Sequence, residues 1–211
     1  MKVVSINVGR PKKILFQGKE ILTAIEKKPV DGPLELQTLN FRGDEQADLT
    51  VHGGQDKAVY AMSTECYAWW KSPQGGHDVG LGTLGENLSV EGLFEDQIFI
   101  GDVFKLGSAE IQVTQPRLPC VKLNAILQDS LAGKKMMQSQ MPGVYFRVLK
   151  PGQVRTDDAM ALVGQESTRI TVLTLFNHLM RKNFSREEAS EYLKIRSLNA
   201  RLKQKFQEAL S

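Results

Sequence analysis

Cysteine and histidine are scarce in this chain. Its 211 residues hold two cysteines, Cys66 and Cys120, and three histidines. Two cysteines are too few for a disulfide framework or for a cysteine-ligated iron–sulfur cluster held by this chain alone. His52, His77 and His178 stand far apart. No C-x-x-C, H-E-x-x-H or H-x-x-x-H spacing occurs, which argues against a zinc site built from protein ligands. Neither a G-x-S-x-G nucleophile turn nor a phosphate-binding G-x-x-x-x-G-K-[ST] loop is present. No apolar run approaches the length of a membrane span. The first apolar run ends at Asn7, too short for a signal peptide, so the expected location is the cytoplasm.

Charge of one sign is also lacking overall, at a net +3. The balance is uneven, however. Residues 169–211 hold nine Lys/Arg against four Asp/Glu, and the rest of the chain is slightly acidic. A basic tail could suit nucleic acid or an acidic protein partner, but a solvated helix face is the more expected reading of the same surplus, and nucleic acid is the less expected partner. The composition, 41% hydrophobic and 24% charged, is that of an ordinary globular protein with a real core.

What is present centres on Gln115-Pro116-Arg117-Leu118-Pro119-Cys120. Two prolines fix two φ angles and remove two amide donors, so the segment is neither a helix interior nor a central strand. It follows an apolar strand-like run and precedes a helix-like run from Val121. Cys120 thus ends a rigid strand-to-helix connector, with Arg117 and Lys122 close in sequence. Positive charge nearby favours the thiolate, the form that attacks substrates or binds soft metals. A lone cysteine is more often buried and inert; the basic, rigid setting puts the two readings level.

Turn signals recur every eight to twelve residues through residue 164. Strands are expected over Met1 to Val8, Lys13 to Phe16, Glu20 to Ile25, Leu34 to Leu39, Ala58 to Met62, Leu88 to Val90, Glu110 to Thr114, Val144 to Leu149 and Ala159 to Val163. Gln97 to Ile100 and Val103 to Leu106 read as a hairpin about Gly101-Asp102. Lys28 to Pro33, with two prolines, reads as a loop. Helices are expected over Thr64 to Lys71, capped by Ser63, and over Lys122 to Gln138 with a break at Gly133. Cys66 falls on the first of these as a core residue. Residues 80–85 match G-x-G-x-x-G, but a dinucleotide fingerprint needs a strand before it and a helix after it, and here a strand-like run follows. The sum is an α+β chain, mainly β with helices: a twisted β-barrel over 1–164, then three short helices over 165–211. Ser185 with Glu188 makes a capping box, and Ser197 is the expected cap of the last helix.

The polar block from Asn40 to Lys57 is rich in groups that bind anions or carry protons. Arg42 and Lys57 are suited to a phosphate. Gly53 and Gly54, after His52, permit close backbone approach. His52 and Cys120 also have the chemistry of a base–nucleophile pair. A long polar loop inside a compact domain favours a functional role over a plain surface loop.

Four segments, residues 43–60, 85–93, 100–120 and 143–154, together resemble the MOSC domain, named after the C-terminal region of molybdenum cofactor sulfurases. The similarity is to the stand-alone bacterial, YiiM-like branch, in which three helices follow the barrel. Asp157-Asp158 departs from the Gly-Asp often found there. The resemblance implies that the molybdenum cofactor, Mo-molybdopterin, is bound, with Cys120 as the thiolate ligand of the metal. Arg42, Lys57, Arg117 and Lys122 become candidates for phosphate or pterin contacts. Asn87 and His52 become candidates for hydrogen bonds to pterin or substrate, and Asp56 for orienting His52 or Lys57. The implied activity is two-electron removal of oxygen from a small N-hydroxylated compound, such as an N-hydroxylaminopurine, giving the amine and water. With no cluster or flavin motif of its own, the chain then needs a separate flavin or iron–sulfur donor protein, for which the basic tail is a docking surface. Two alternatives stay open: a sulfur carrier with a persulfide on Cys120, and a protein that binds the cofactor without turnover.

Overall fold

The computed structural model describes residues 1–47, 53–181 and 184–210. Twelve strands are seen among them: β1 (Lys2–Val8), β2 (Lys12–Phe16), β3 (Lys19–Thr23), β4 (Lys28–Val30), β5 (Leu34–Leu36), β6 (Val59–Ser63), β7 (Leu88–Glu91), β8 (Val103–Leu106), β9 (Ala109–Pro116), β10 (Val144–Lys150), β11 (Gly152–Val154) and β12 (Met160–Gly164). Helices α1 (Glu65–Lys71), α2 (Val121–Ile126) and α3 (Ala132–Ser139) interleave with them. Helices α4 (Val172–Arg181), α5 (Arg186–Leu193) and α6 (Ala200–Leu210) follow the last strand.

Eight strands form one sheet in the order β12-β8-β9-β10-β6-β7-β1-β4. All neighbours run antiparallel except β6 and β7, which α1 and the glycine-rich segment connect. One edge of β1 is shared. Its last residues pair with β4, while Lys2 bridges Ala159 just before β12. The Val3 amide donates to Asp158 O at 3.0 Å and the Met160 amide to Met1 O at 3.1 Å. These bonds tie β1 to the β12 end of the strand order, and the sheet curls into a twisted barrel. Two small hairpin-like pairs, β2–β3 and β5–β11, lie outside it.

The barrel interior holds alternate residues of its strands: Val3 and Ile6, Leu88 and Val90, Ile111 and Val113, Val144 and Phe146 are all fully buried. Val172, Leu175, Tyr192, Leu202 and Phe206 from the last three helices join the same apolar cluster. A second cluster lies between the sheet and α1–α3, built on Tyr60, Met62, Cys66, Trp70, Leu84, Leu123 and Met136. Cys66 is fully buried there, and burial pushes its thiol well above the ordinary value.

Several local expectations shift. Lys28–Val30 is a strand, not a loop: it sits at the open end of the sheet order, where Pro29 opposite Asn7 need not supply an inner-ladder hydrogen bond. Residues 97–100 form no hairpin arm with β8: Phe99 bridges Thr171 instead, and Asp102 Oδ2 accepts the Phe99 amide at 3.0 Å. The helix expected over 122–138 is two helices that part at residues 127–131, and Gly133 lies inside the second. Asp129 Oδ1 takes the Leu131 amide and Asn124 Oδ1 the Gly133 amide, so side chains cap the break. Asn199, not Ser197, caps α6, accepting from the amides of Arg201 at 3.0 Å and Leu202 at 3.4 Å. The Ser185–Glu188 capping box is present. No helix follows the glycines of residues 80–85, whose chain leads into β7. Asp157 adopts φ 73°, the left-handed conformation that a glycine fills without strain.

Candidate functional site

The proline connector is held at both ends. Pro116 closes β9, and Leu123, three residues past Cys120, is fully buried in the second cluster. The Arg117 amide donates to Gly143 O at 3.3 Å and the Leu123 amide to Cys120 O at 3.0 Å. Gly143 is required there: its φ is 75°, and a Cβ would lie 2.6 Å from Ala61 O and from the Tyr60 ring. Between β9 and β10 the register skips at Thr114, a bulge that turns Gln115 and Tyr145 the same way. Both line the cavity into which the connector delivers Cys120.

That cavity encloses about 360 Å³. Among the described residues its lining holds five cationic side chains, Lys27, Lys57, Arg117, Lys122 and Arg201, against two carboxylates, Asp44 and Glu45. Lys27 and Asp44 pair with each other and are 6% and 3% exposed, so they form a neutral floor. Arg117 is buried and donates to Leu84 O and, at 3.3 Å, to Tyr60 Oη. Its guanidinium lies 4.9 Å from the Tyr60 ring centre, and the Tyr60 and Tyr145 rings are 5.1 Å apart. Burial raises both tyrosine hydroxyls above their ordinary acidity range, so the two rings are neutral walls. Lys57 Nζ stands 5.8 Å from the Tyr145 ring centre. Burial, and then the Arg201 charge, hold the Lys57 ammonium below its usual value. Cys120 is half-buried and forms no disulfide.

The structure therefore brings Cys120, Asn87, Lys57, Arg117 and Lys122 around one cavity. Asn87 acts as a brace there. Its Nδ2 donates to Asp44 Oδ2 at 2.8 Å and to Asn7 O at 3.3 Å, and its Oδ1 accepts the Tyr60 amide at 3.1 Å. Both amide hydrogens are thus taken within the protein. Arg42 is outside the lining; it is exposed and lies 3.7 Å from Glu35. Asp56 is also outside the lining. Its carboxylate faces Arg147 Nη2 at 2.5 Å and Asn199 Nδ2 at 3.0 Å. His52 lies outside the described residues. The sequence did not point to Lys27, Asp44, Tyr60, Tyr145, Asn199 or Arg201. Asn199 carried a signal, an asparagine directly before a run with helical spacing; the others reach the cavity only through long-range packing.

Residues 48–161 match the model of the MOSC domain family. This chain belongs to that family. It is 41% identical over 170 residues to YflK of Bacillus subtilis (strain 168), covering 81% of this chain and 76% of that protein. It is 40% identical over 147 residues to YiiM of Escherichia coli (strain K12), covering 69% and 66%. A protein named Reductase from Gibberella moniliformis is 31% identical over 186 residues; the match covers 87% of this chain and 33% of the fungal one. The crystal structure of YiiM from Geobacillus stearothermophilus superposes with a TM-score of 0.83 at 28% identity over 100% of this chain and 99% of that one. MOSC domains are associated with the molybdenum cofactor, and the barrel and appended helices have the architecture of the YiiM structures.

The residues fit that cofactor. A half-buried sulfur donor suits a soft metal, the four cations that share its cavity besides the Asp44-paired Lys27 suit a phosphate, and the volume lies in the range of small-molecule sites. No cluster of three or more His, Cys, Asp or Glu suited to a metal occurs among the described residues. No helix there is long and apolar enough to cross a membrane.

Proposed function

We propose that this protein is a molybdenum-cofactor oxidoreductase that removes oxygen from small N-hydroxylated compounds, such as N-hydroxylated purines. The observation that carries this reading is Cys120 at the wall of a cationic cavity in a MOSC barrel. The name of the fungal relative agrees with a reductase.

When bound, the cofactor supplies a two-electron couple at its metal. The Cys120 thiolate is the ligand, fixed by the proline connector so that little reorganisation accompanies binding. Lys57 and Lys122 answer the phosphate charge. Arg117, always protonated and fixed to Leu84 O, adds a permanent positive field. The Tyr60 and Tyr145 rings supply flat walls for a planar ring system. Two electrons and two protons convert N–OH to N–H and water. The electrons come from a separate flavin or iron–sulfur protein, and the basic helical tail is the proposed surface for it. Removing the tail is a poor test of that docking, because α4–α6 share the barrel's apolar cluster.

The test is anaerobic turnover of N-hydroxylaminopurine by cofactor-loaded protein with dithionite as donor. Adenine should form with the wild type and not with Cys120→Ala. A fully loaded wild type that leaves the substrate untouched sinks the reductase reading and favours a cofactor-binding or persulfide-carrying role.

A further inference from the structure

The C-terminal helices reach back to the cavity through a chain of specific contacts. The Glu166 carboxylate accepts the amides of Arg196 at 2.8 Å and Ser197 at 2.9 Å. Arg147, on β10, donates to Ser197 O at 2.7 Å and to Asp56 Oδ1 at 2.5 Å. Asp56 Oδ2 accepts Asn199 Nδ2 at 3.0 Å. Asn199 is 8% exposed, and its Oδ1 caps α6. The helix start is thus satisfied by the protein itself. What α6 brings to the cavity lining is Leu202 and the exposed, cationic Arg201.

Asp56 and Lys57 belong to one 3₁₀ turn, Gln55–Lys57, so a single tie sets the place of both Lys57 and Arg201. These two cations are close enough for Arg201 to disfavour the Lys57 charge. A fold that clamps two repelling cations beside a cavity gains from an anion between them.

We propose that Arg201 is an anion-binding residue of the Cys120 cavity and that Asp56, acting through Asn199, is its positioning residue. The group bound is a phosphate monoester or a similar anion, carried by the cofactor or by the substrate. The inference concerns the same cavity as the proposed function but does not depend on the metal.

The test uses the full chain made in a host without molybdopterin, and compares alkylation of Cys120 by anionic iodoacetate and neutral iodoacetamide. Cys66 is fully buried, and peptide mass spectrometry reads the two cysteines separately. The rate ratio of the two reagents reports anion guidance; a change in folding or thiol reactivity moves both rates together. Arg201→Ala should lower the iodoacetate preference about fivefold at low salt. Arg201→Lys should restore it to within about twofold, since the charge remains. Asp56→Asn should lower it as Arg201→Ala does, and Arg181→Ala, a charge loss elsewhere on the tail, should leave it unchanged. Inorganic phosphate should protect Cys120 in the wild type and not in Arg201→Ala. An unchanged ratio in Arg201→Ala overturns the anion role, and an unchanged ratio in Asp56→Asn overturns the positioning role. Pterin content after purification from a molybdopterin-producing host separates the sources. Loss in Arg201→Ala assigns the anion to the cofactor, and retention assigns it to the substrate.

Discussion

Glu95 makes the stability of this protein fall as pH rises. The side chain is 4% exposed, and burial is the main reason its carboxyl is pushed up from an ordinary 4.5 to about 7. The Gly143 amide, donating to Oε1 at 2.7 Å, works against that rise, while the Asp96 and Glu65 carboxylates add to it. Because the folded state holds this proton more tightly than the unfolded chain, the stabilising contribution is complete below about pH 4.5 and is lost as pH passes through about 7. The shift corresponds to about 3 kcal/mol across that window. Glu95→Gln keeps the shape and an acceptor for Gly143 but cannot ionise. Its Tm should stand close to the wild type at pH 5 and exceed it by about 6–10 °C at pH 8, on the scale for a chain of this size. Thermal melts of both proteins at four pH values between 5 and 8 measure this. Two curves that stay parallel across the range would refute the reasoning. The contact matters for the site as well, since Gly143 O also holds the Arg117 amide of the connector.

Two further changes test the floor of the cavity and the start of α5. Lys27→Met removes one partner of a buried ion pair and leaves the Asp44 carboxylate, among the described residues, to the Gly9 amide and Asn87; it should cost about 3 kcal/mol, read as a fall in the urea midpoint. Ser185→Ala removes the hydroxyl that accepts the Glu188 amide in the capping box and should cost about 1 kcal/mol, while cofactor content stays as in the wild type.

The sequence made visible what depends on local chemistry. Prolines 116 and 119 marked a rigid turn, and the structure has β9 ending and α2 beginning around it. Val172, Phe176 and Leu179, at helical spacing in the sequence, lie on the buried face of α4. Where side chains reach a few residues along the chain to hold backbone amides, the reading failed: Asp102 holds the Phe99 amide where a hairpin arm was expected, and Asn124 with Asp129 moved a helix break. β4 was hidden because Pro29 at a sheet edge looks the same in sequence as a proline in a loop. The cavity followed the same division. Cys120, Arg117 and Lys122 come from one continuous segment and were found together. Lys27, from the β3–β4 connection, and Tyr60, Tyr145 and Arg201, from β6, β10 and α6, meet only when the barrel forms and α6 packs beside it. Asn87 entered through the resemblance, as a candidate for a hydrogen bond to pterin or substrate, but the Asp44 carboxylate and Asn7 carbonyl that occupy its amide lie 43 and 80 residues away.

The central claim is that Cys120 holds molybdenum. Wild type and Cys120→Ala, purified without oxygen from a molybdopterin-producing host, should be compared for molybdenum per chain by mass spectrometry. Near-stoichiometric metal in the wild type with almost none in the variant is the predicted result. Equal metal in both proteins, or none in either after the cofactor is added, contradicts it.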